Sequence, residues 1–423
     1  MYDIISKNIP LENNMTRFFR KFIPSVLIIL IISGICAVSS FAANGAELTN
    51  SFKTNDSKII CVAHRGDWHS YPENSAEAVR AAAEYGVVSV DVKVTQDGEI
   101  VLMADDTTER MCVDADGKTV SGFVSNYTLE SLQEMYLRSA NGTVKNEKTE
   151  FHPASLAEAV SAAGSDTALM LNLKCADFEA VYNKVKALDI ADSVIFRFSD
   201  KNKEILKTVS GKKDITVCGN YQGNIIFLAT SAVKNSFANG INTVELGSKN
   251  GHGVLYDNFL MKRFASQGKA MVSMTGGRCG KRTDNETGWD DLISRGYSVI
   301  ETDYPAELTE YIEKTASAKA ELERYLNLCR DTDTKPFTTD TENAFISAVD
   351  EADKLLDGSV SLSQLENARY NLQSSFDNLT VGAKKAVTLS FNLTAGRVIA
   401  AVLCGAAVLG AQIFLYKKRE KKN

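Results

Sequence analysis

The sequence predicts a parallel (β/α)8 TIM-type barrel over residues 58–312, followed by a small three-helix bundle and a C-terminal transmembrane helix. Three observations carry this. Short apolar runs alternate with amphipathic ones as far as about residue 312, the pattern becomes continuously helical from about Thr315, and residues 398–416 are almost wholly apolar. A doubly wound open sheet is the rival arrangement for the first region.

The strand candidates are 59–63, 87–94, 100–103, 168–173, 193–198, 215–218, 241–246, 270–274 and 297–301. Between most of them lie amphipathic stretches such as 75–85, 155–163, 178–188 and 289–294, which predicts parallel strands joined by helical crossovers. Nine candidates exceed a barrel's eight. The surplus is assigned to the pair joined by residues 95–98, a link too short for a parallel crossover. Residues 315–380 then read as helices over 316–329, 340–356 and 363–379, with Thr338 or Thr339 capping the second and Ser361 or Ser363 the third. Phe345, Ala348, Ala352, Leu355 and Leu356 recur at helical spacing, as do Leu365, Ala368, Leu372 and Phe376; both stripes read as core.

At the N-terminus, Arg17, Arg20 and Lys21 precede an apolar run over 22–36, and Ser40-Phe41-Ala42 offers a small-residue exit. Residues 1–42 therefore read as a secretory signal peptide, with an uncleaved anchor as the rival. Bulky Ile35 argues against Cys36 as a lipoprotein cysteine. At the other end, residues 397–416 read as a membrane span. The basic tail 417–423, with Lys417, Lys418, Arg419, Lys421 and Lys422, is placed in the cytoplasm by the positive-inside rule. The expectation is a single-pass cell-membrane protein with an extracellular ectodomain.

A net charge of −6 gives no electrostatic footprint for nucleic acid. Of the eight cysteines, Cys36 and Cys404 lie in apolar segments. Cys61, Cys112, Cys175, Cys218, Cys279 and Cys329 are too widely spaced for a metal pattern, and read as buried thiols or an occasional disulfide.

Chemistry concentrates in CVAHRGDWHSYPENSAEAVRAAAEYGVVSVDVKVTQDGEIVLMADDTTER, the stretch from Cys61 to Arg110, and in GWDDLISRGYSVIETDYP near the end of the alternating region. His-Arg-Gly, Pro-Glu-Asn and Thr-Gln-Asp-Gly in the first, and Gly-Trp-Asp with Thr-Asp-Tyr-Pro in the second, resemble the glycerophosphodiester phosphodiesterase family over residues 59–308. The resemblance implies a (β/α)8 barrel that hydrolyses glycerophosphodiesters to glycerol 3-phosphate and an alcohol. It also implies a divalent cation, Mg²⁺ or Ca²⁺, and a glycerophosphodiester or glycerophosphate-polymer ligand. Such a reaction needs a proton acceptor for the nucleophile, a donor for the leaving alkoxide, and positive charge on the phosphate oxygens.

Carried over residue by residue, His64 matches the family's first histidine and Arg65 its phosphate-clamping guanidinium. Glu73 and Asn74 match the Pro-Glu-Asn carboxylate and amide, and Asp91 the aspartate of a Glu-x-Asp metal pair. The catalytic candidates are thus His64 and Arg65, the substrate-binding ones Arg65, Asn74 and Lys174, and the metal ligands Glu73 and Asp91. The chain departs from the pattern at four places. Ser89 replaces the first metal carboxylate, and Ala104 stands where a second histidine precedes Asp105. Asn172 or Lys174 falls where a strand acid belongs, and Met274 where a tryptophan does. These departures imply weak metal binding and impaired hydrolysis; Lys174 is a candidate to supply the missing positive charge. A non-catalytic surface protein binding phosphate, polyol or envelope polymers is the alternative.

His69 reads as an exposed loop residue or a displaced acid, His152 as a loop residue, and His252 as part of a surface loop or of the barrel mouth; Gly276, Gly277 and Gly280 beside Arg278 read as a weak phosphate cradle. Residues 336–379 resemble the FIVAR module, a spacer or adhesion element of Gram-positive surface proteins.

Overall fold

The computed structural model describes residues 44–54, 58–142, 146–173, 177–199, 214–222, 243–247, 269–273, 283–334 and 337–380, with positions 205, 208, 209, 212 and 241. In chain order the main elements are α1 (Gly45–Ser51), β1 (Ile60–His64), α2 (Ala76–Ala82), β2 (Val87–Val94), β3 (Ile100–Leu102), β4 (Cys112–Val113), α3 (Leu129–Gln133), β5 (Tyr136–Leu137), α4 (Leu156–Ala163), β6 (Ala168–Asn172), α5 (Phe178–Ala187), β7 (Val194–Ser199), β8 (Thr216–Gln222), β9 (Thr243–Gly247), β10 (Lys269–Ser273), α6 (Glu286–Ser294), β11 (Val299–Thr302), α7 (Pro305–Arg330), α8 (Thr339–Leu356) and α9 (Leu362–Asp377).

Eight strands run parallel in the order β1-β2-β6-β7-β8-β9-β10-β11, and β1 pairs with both β2 and β11, so the sheet closes on itself. Antiparallel β3 joins the sheet through β2, where Val92 faces Leu102 and Val94 faces Ile100. The surplus strand is therefore a hairpin partner on the rim, as the short link after Val94 requires. The small antiparallel pair β4–β5 was not anticipated. It belongs to an excursion between β3 and β6 with its own buried cluster, Val101, Met103, Met111, Cys112, Val124, Leu132, Met135 and Leu137.

Strand alternation sorts the barrel residues into two sets. Cys61, Ala63, Val88, Val90, Val92, Leu169, Leu171, Phe196 and Ile300 join the helices Val79, Leu156, Val181, Leu292 and Leu308 in one apolar layer. The other parity holds Ile60, Val62, Val87, Ala168, Met170, Ile195, Cys218, Met271 and Val299, a second cluster capped by Phe52 just after α1. Continue that second parity toward the strand C-termini and the residues change character: His64, Ser89, Asp91, Asn172, Arg197, Asn220, Glu245 and Glu301. The bore is thus apolar at its N-terminal end and polar at its C-terminal end, the end where barrels of this type place their sites.

Contact clustering divides the chain into two compact units. The first comprises residues up to 317 with Asp357–Gln364, and the second Ala318–Leu356 with residues from Leu365 onward. In the first, α6 begins at Glu286, earlier than the expected 289, because the Asn285 side chain accepts from the Gly288 N–H and caps it. Asp290 of α6 accepts from the Tyr311 hydroxyl (2.8 Å) and from the Ser363 N–H (2.9 Å), satisfying a donor at the start of α9. In the second unit Leu322, Leu326, Phe345, Ala352, Leu365 and Leu372 are buried, and Phe345 and Phe376 form a ring pair at 5.8 Å. The helix expected over 316–329 is the last part of α7, which begins at Pro305.

The expected membrane arrangement is corrected. Among the described residues no helix is long and apolar enough to cross a membrane. Residues 22–36 and 398–416, which suggested a signal peptide and a span, lie outside the described residues. Among the described cysteines, Cys61, Cys112, Cys218 and Cys329 are buried free thiols.

Candidate active site

His64 is the last residue of β1, and its register partner on β2 is Ser89. Its Nδ1 lies 2.8 Å from Oδ1 of Asp303, one residue beyond β11, and the two side chains are 17% and 21% exposed. The Trp68 indole N–H donates to the same carboxylate oxygen at 2.8 Å. Asp303 is held in turn by Asp284, whose Oδ2 accepts from the Asp303 backbone N–H (2.8 Å). Its Oδ1 accepts from the Thr302 hydroxyl and the Trp289 indole, each at 2.7 Å. Burial raises the Asp284 pKa, partly opposed by these hydrogen bonds.

Arg65 and Asn74 both adopt left-handed backbone angles, φ 61° and 58°, uncommon for residues with a side chain. They are locked to each other and to the sheet. The Asn74 N–H donates to the Arg65 carbonyl (3.0 Å), and the Arg65 N–H to the Ser89 carbonyl (2.7 Å). Gly66 follows at φ 79°, and a Cβ there would lie 2.5 Å from the Ala78 backbone, which is why His-Arg must be followed by glycine.

The side chains form an ion-pair chain across the mouth. Arg65 Nη1 donates to Glu73 Oε2 (2.7 Å), and Arg65 Nε lies 2.9 Å from Asp91 Oδ2. Arg110 Nη2 donates to the other Glu73 oxygen (2.6 Å) and Arg110 Nε to Asp105 (2.5 Å). Asp91 Oδ1 accepts from the Asn172 amide at 2.6 Å, and Asn74 Oδ1 accepts from the Asp91 N–H at 2.9 Å. Burial works against the Arg65 charge, but Asp91 and Glu73 outweigh it and raise its pKa; Arg110 is raised in the same sense by Glu73 and Asp105. Lys93 of β2 pairs with Asp106.

Beneath the mouth lies a second cluster. Arg197 of β7 donates through Nε to Glu245 of β9 (2.8 Å) and through Nη1 to Glu301 of β11 (2.8 Å), and Asn220 of β8 donates to Glu245 (2.5 Å). Arg197, Glu245 and Glu301 are each 2% exposed or less.

The structure therefore gathers five sequence candidates, His64, Arg65, Glu73, Asn74 and Asp91, at one mouth. Lys174, His252, Met274 and the glycines around Arg278 lie outside the described residues. His152 is turned to the Met135 carbonyl at 2.7 Å and takes no part. Sequence reasoning missed Asp303, Arg110, Trp68 and the Arg197 cluster. Asp303 carried a usable signal, since it directly follows a barrel strand in the quoted Thr-Asp-Tyr-Pro motif.

The divalent cation implied by the resemblance does not suit these donors. Both Glu73 oxygens accept from guanidiniums, and both Asp91 oxygens face an arginine or an amide. Ser89 and Asn172 stand on either side of Asp91 where carboxylates would be needed. Among the described residues no group of three or more His, Cys, Asp or Glu side chains is placed to hold a metal.

Residues 64–272 match the glycerophosphoryl diester phosphodiesterase family. Glycerophosphodiester phosphodiesterase 1 of Rattus norvegicus is 27% identical over 170 residues, 36% of this chain and 49% of that protein. Glycerophosphodiester phosphodiesterase of Caldanaerobacter subterraneus is 36% identical over 80 residues, 18% of this chain and 30% of that protein. The chain thus spans half or less of the length of these curated relatives. The crystal structure of a glycerophosphoryl diester phosphodiesterase from Parabacteroides distasonis superposes with a TM-score of 0.50 at 22% identity. It covers 64% of this chain and 92% of that one, a likeness of fold. Residues 64–272 are thus similar to the glycerophosphoryl diester phosphodiesterase family.

Proposed function

We propose that the barrel mouth binds a glycerophosphodiester and hydrolyses it slowly, with His64 as the proton carrier and Arg65 as the group that meets the phosphate. The observation that carries this reading is the His64–Asp303 contact at 2.8 Å, set beside a guanidinium at the open end of the barrel. A carboxylate at Nδ1 keeps the proton on that nitrogen and leaves Nε2 as the acceptor. Nε2 then takes a proton from the attacking water as the new P–O bond forms. The same proton passes to the alcohol oxygen as the old P–O bond breaks, so one imidazole serves both halves of the reaction. Arg65 Nη2, with no hydrogen-bond partner among the described residues, is the donor left for a phosphate oxygen.

Ala104 supplies no second proton carrier, and loss of such a group costs about 10²–10⁴ in rate. This favours a second reading, in which the site binds the diester without turning it over. Glycerophosphocholine hydrolysis by the purified protein, beside His64→Ala, separates the two. Release of glycerol 3-phosphate that depends on His64 supports the enzyme, and binding without release supports the second reading. For residues 336–379 we propose a spacer role, on their helical pattern and resemblance to the FIVAR module.

A further inference from the structure

The β1–β11 side of the mouth, next to His64, carries a feature that phosphate chemistry does not use: three rings in a stack. Trp68 and His69 lie 3.9 Å apart between ring centroids at 28°, and His69 and Tyr304 4.9 Å apart at 24°. The stack draws on two elements far apart in sequence, the turn after β1 and the residue after Asp303. In that turn the Ser70 and Tyr71 N–H groups both donate to the Asp67 carbonyl, at 3.2 and 3.1 Å. Although His69 covers one face of Tyr304, the tyrosine remains 41% exposed.

The stack is tied directly to the reacting end of the site. The Trp68 indole and the His64 imidazole share one oxygen of Asp303. A diester whose phosphate meets Arg65 and whose scissile oxygen meets His64 therefore directs one of its two alcohol groups toward these rings. The charges also divide across the mouth. Arg65, Arg110 and Lys93 lie on the β1–β3 side, whereas Asp303 and Asp284 follow and precede the last strand. An electron-rich ring face beside a carboxylate attracts an organic cation.

We infer that Trp68, His69 and Tyr304 form a subsite for an alkylammonium headgroup, so that the preferred ligand is a zwitterionic glycerophosphodiester with its anion on Arg65 and its cation on the stack. This rests on the phosphodiester reading above and adds the class of alcohol. Cation–π contacts of this kind are worth roughly a tenfold preference in affinity.

The test is isothermal titration of the full chain with glycerophosphocholine, glycerophosphoglycerol and glycerol 3-phosphate, repeated with Tyr304→Phe and with the pair Tyr304→Leu/His69→Leu. The expected result is a roughly tenfold preference for glycerophosphocholine over glycerophosphoglycerol, kept by Tyr304→Phe and abolished by the leucine pair. Equal affinity for the two diesters in the unmodified protein overturns the headgroup subsite and leaves the phosphodiester reading standing. A preference that survives the leucine pair also overturns it, by placing discrimination elsewhere. Failure of all three ligands to bind overturns both readings together.

Discussion

Replacing Arg197 with methionine isolates the energetic role of the cluster beneath the mouth. The guanidinium reaches Glu245 at 2.6 and 2.8 Å and Glu301 at 2.8 Å, with all three side chains essentially out of contact with water. Breaking such a pair by removing one partner costs about 3–5 kcal/mol, because a buried charge is left uncompensated. Here two carboxylates lose the same partner, so Arg197→Met is expected to lose about 4 kcal/mol at pH 8, a large share of a domain's stability. Urea unfolding at pH 8 measures this. Adding Glu245→Gln and Glu301→Gln to Arg197→Met should recover much of the loss, because the uncompensated carboxylates are then gone. A deficit below about 1 kcal/mol, or one that the glutamine pair leaves unchanged, refutes a compensated buried charge cluster.

Asp303→Asn should lower His64-dependent hydrolysis of glycerophosphocholine by about 10²-fold with little change in melting temperature, as the imidazole loses its orienting carboxylate. Ala104→His should raise kcat by about 10²–10⁴ if the missing proton donor limits turnover, measured as glycerol 3-phosphate release. Ser89→Glu with Asn172→Glu places two carboxylates around Asp91. The double variant should melt lower in EDTA than the parent and be restored by millimolar Ca²⁺, which leaves the parent unmoved. Gly66→Ala should destabilise the barrel by about 1–3 kcal/mol in chemical denaturation, because φ 79° and a Cβ lying 2.5 Å from the Ala78 backbone must both be accommodated.

The eight barrel strands were legible because their apolar runs are short, β-branched and separated by helical stretches. The rim hairpin was legible from the length of one turn. The polarity switch along the inward parity was legible too, once the strands were phased: Ile60, Val62, His64 and Val87, Ser89, Asp91 read off directly. What stayed hidden is long-range. Asp303 is 239 residues from His64, and Arg197 is 104 from Glu301, so barrel closure rather than local pattern pairs them. Arg110 was read as the end of a motif, yet it saturates the Glu73 oxygen that the resemblance offers to a metal. The helix expected over 316–329 begins earlier, at Pro305, since nothing from Pro305 to Arg330 interrupts helical pairing. The membrane expectation came from hydropathy at the two ends, and no described helix bears it out.

The ion-pair chain through Arg65 has one more consequence, for thermodynamics in solution. Glu73 and Asp91 already share that guanidinium, so a phosphate that drew on it would arrive as a third anion in a crowded electrostatic field. Their like charge would offset part of the attraction of Arg65, so anion affinity here should be lower than at an arginine without carboxylate partners.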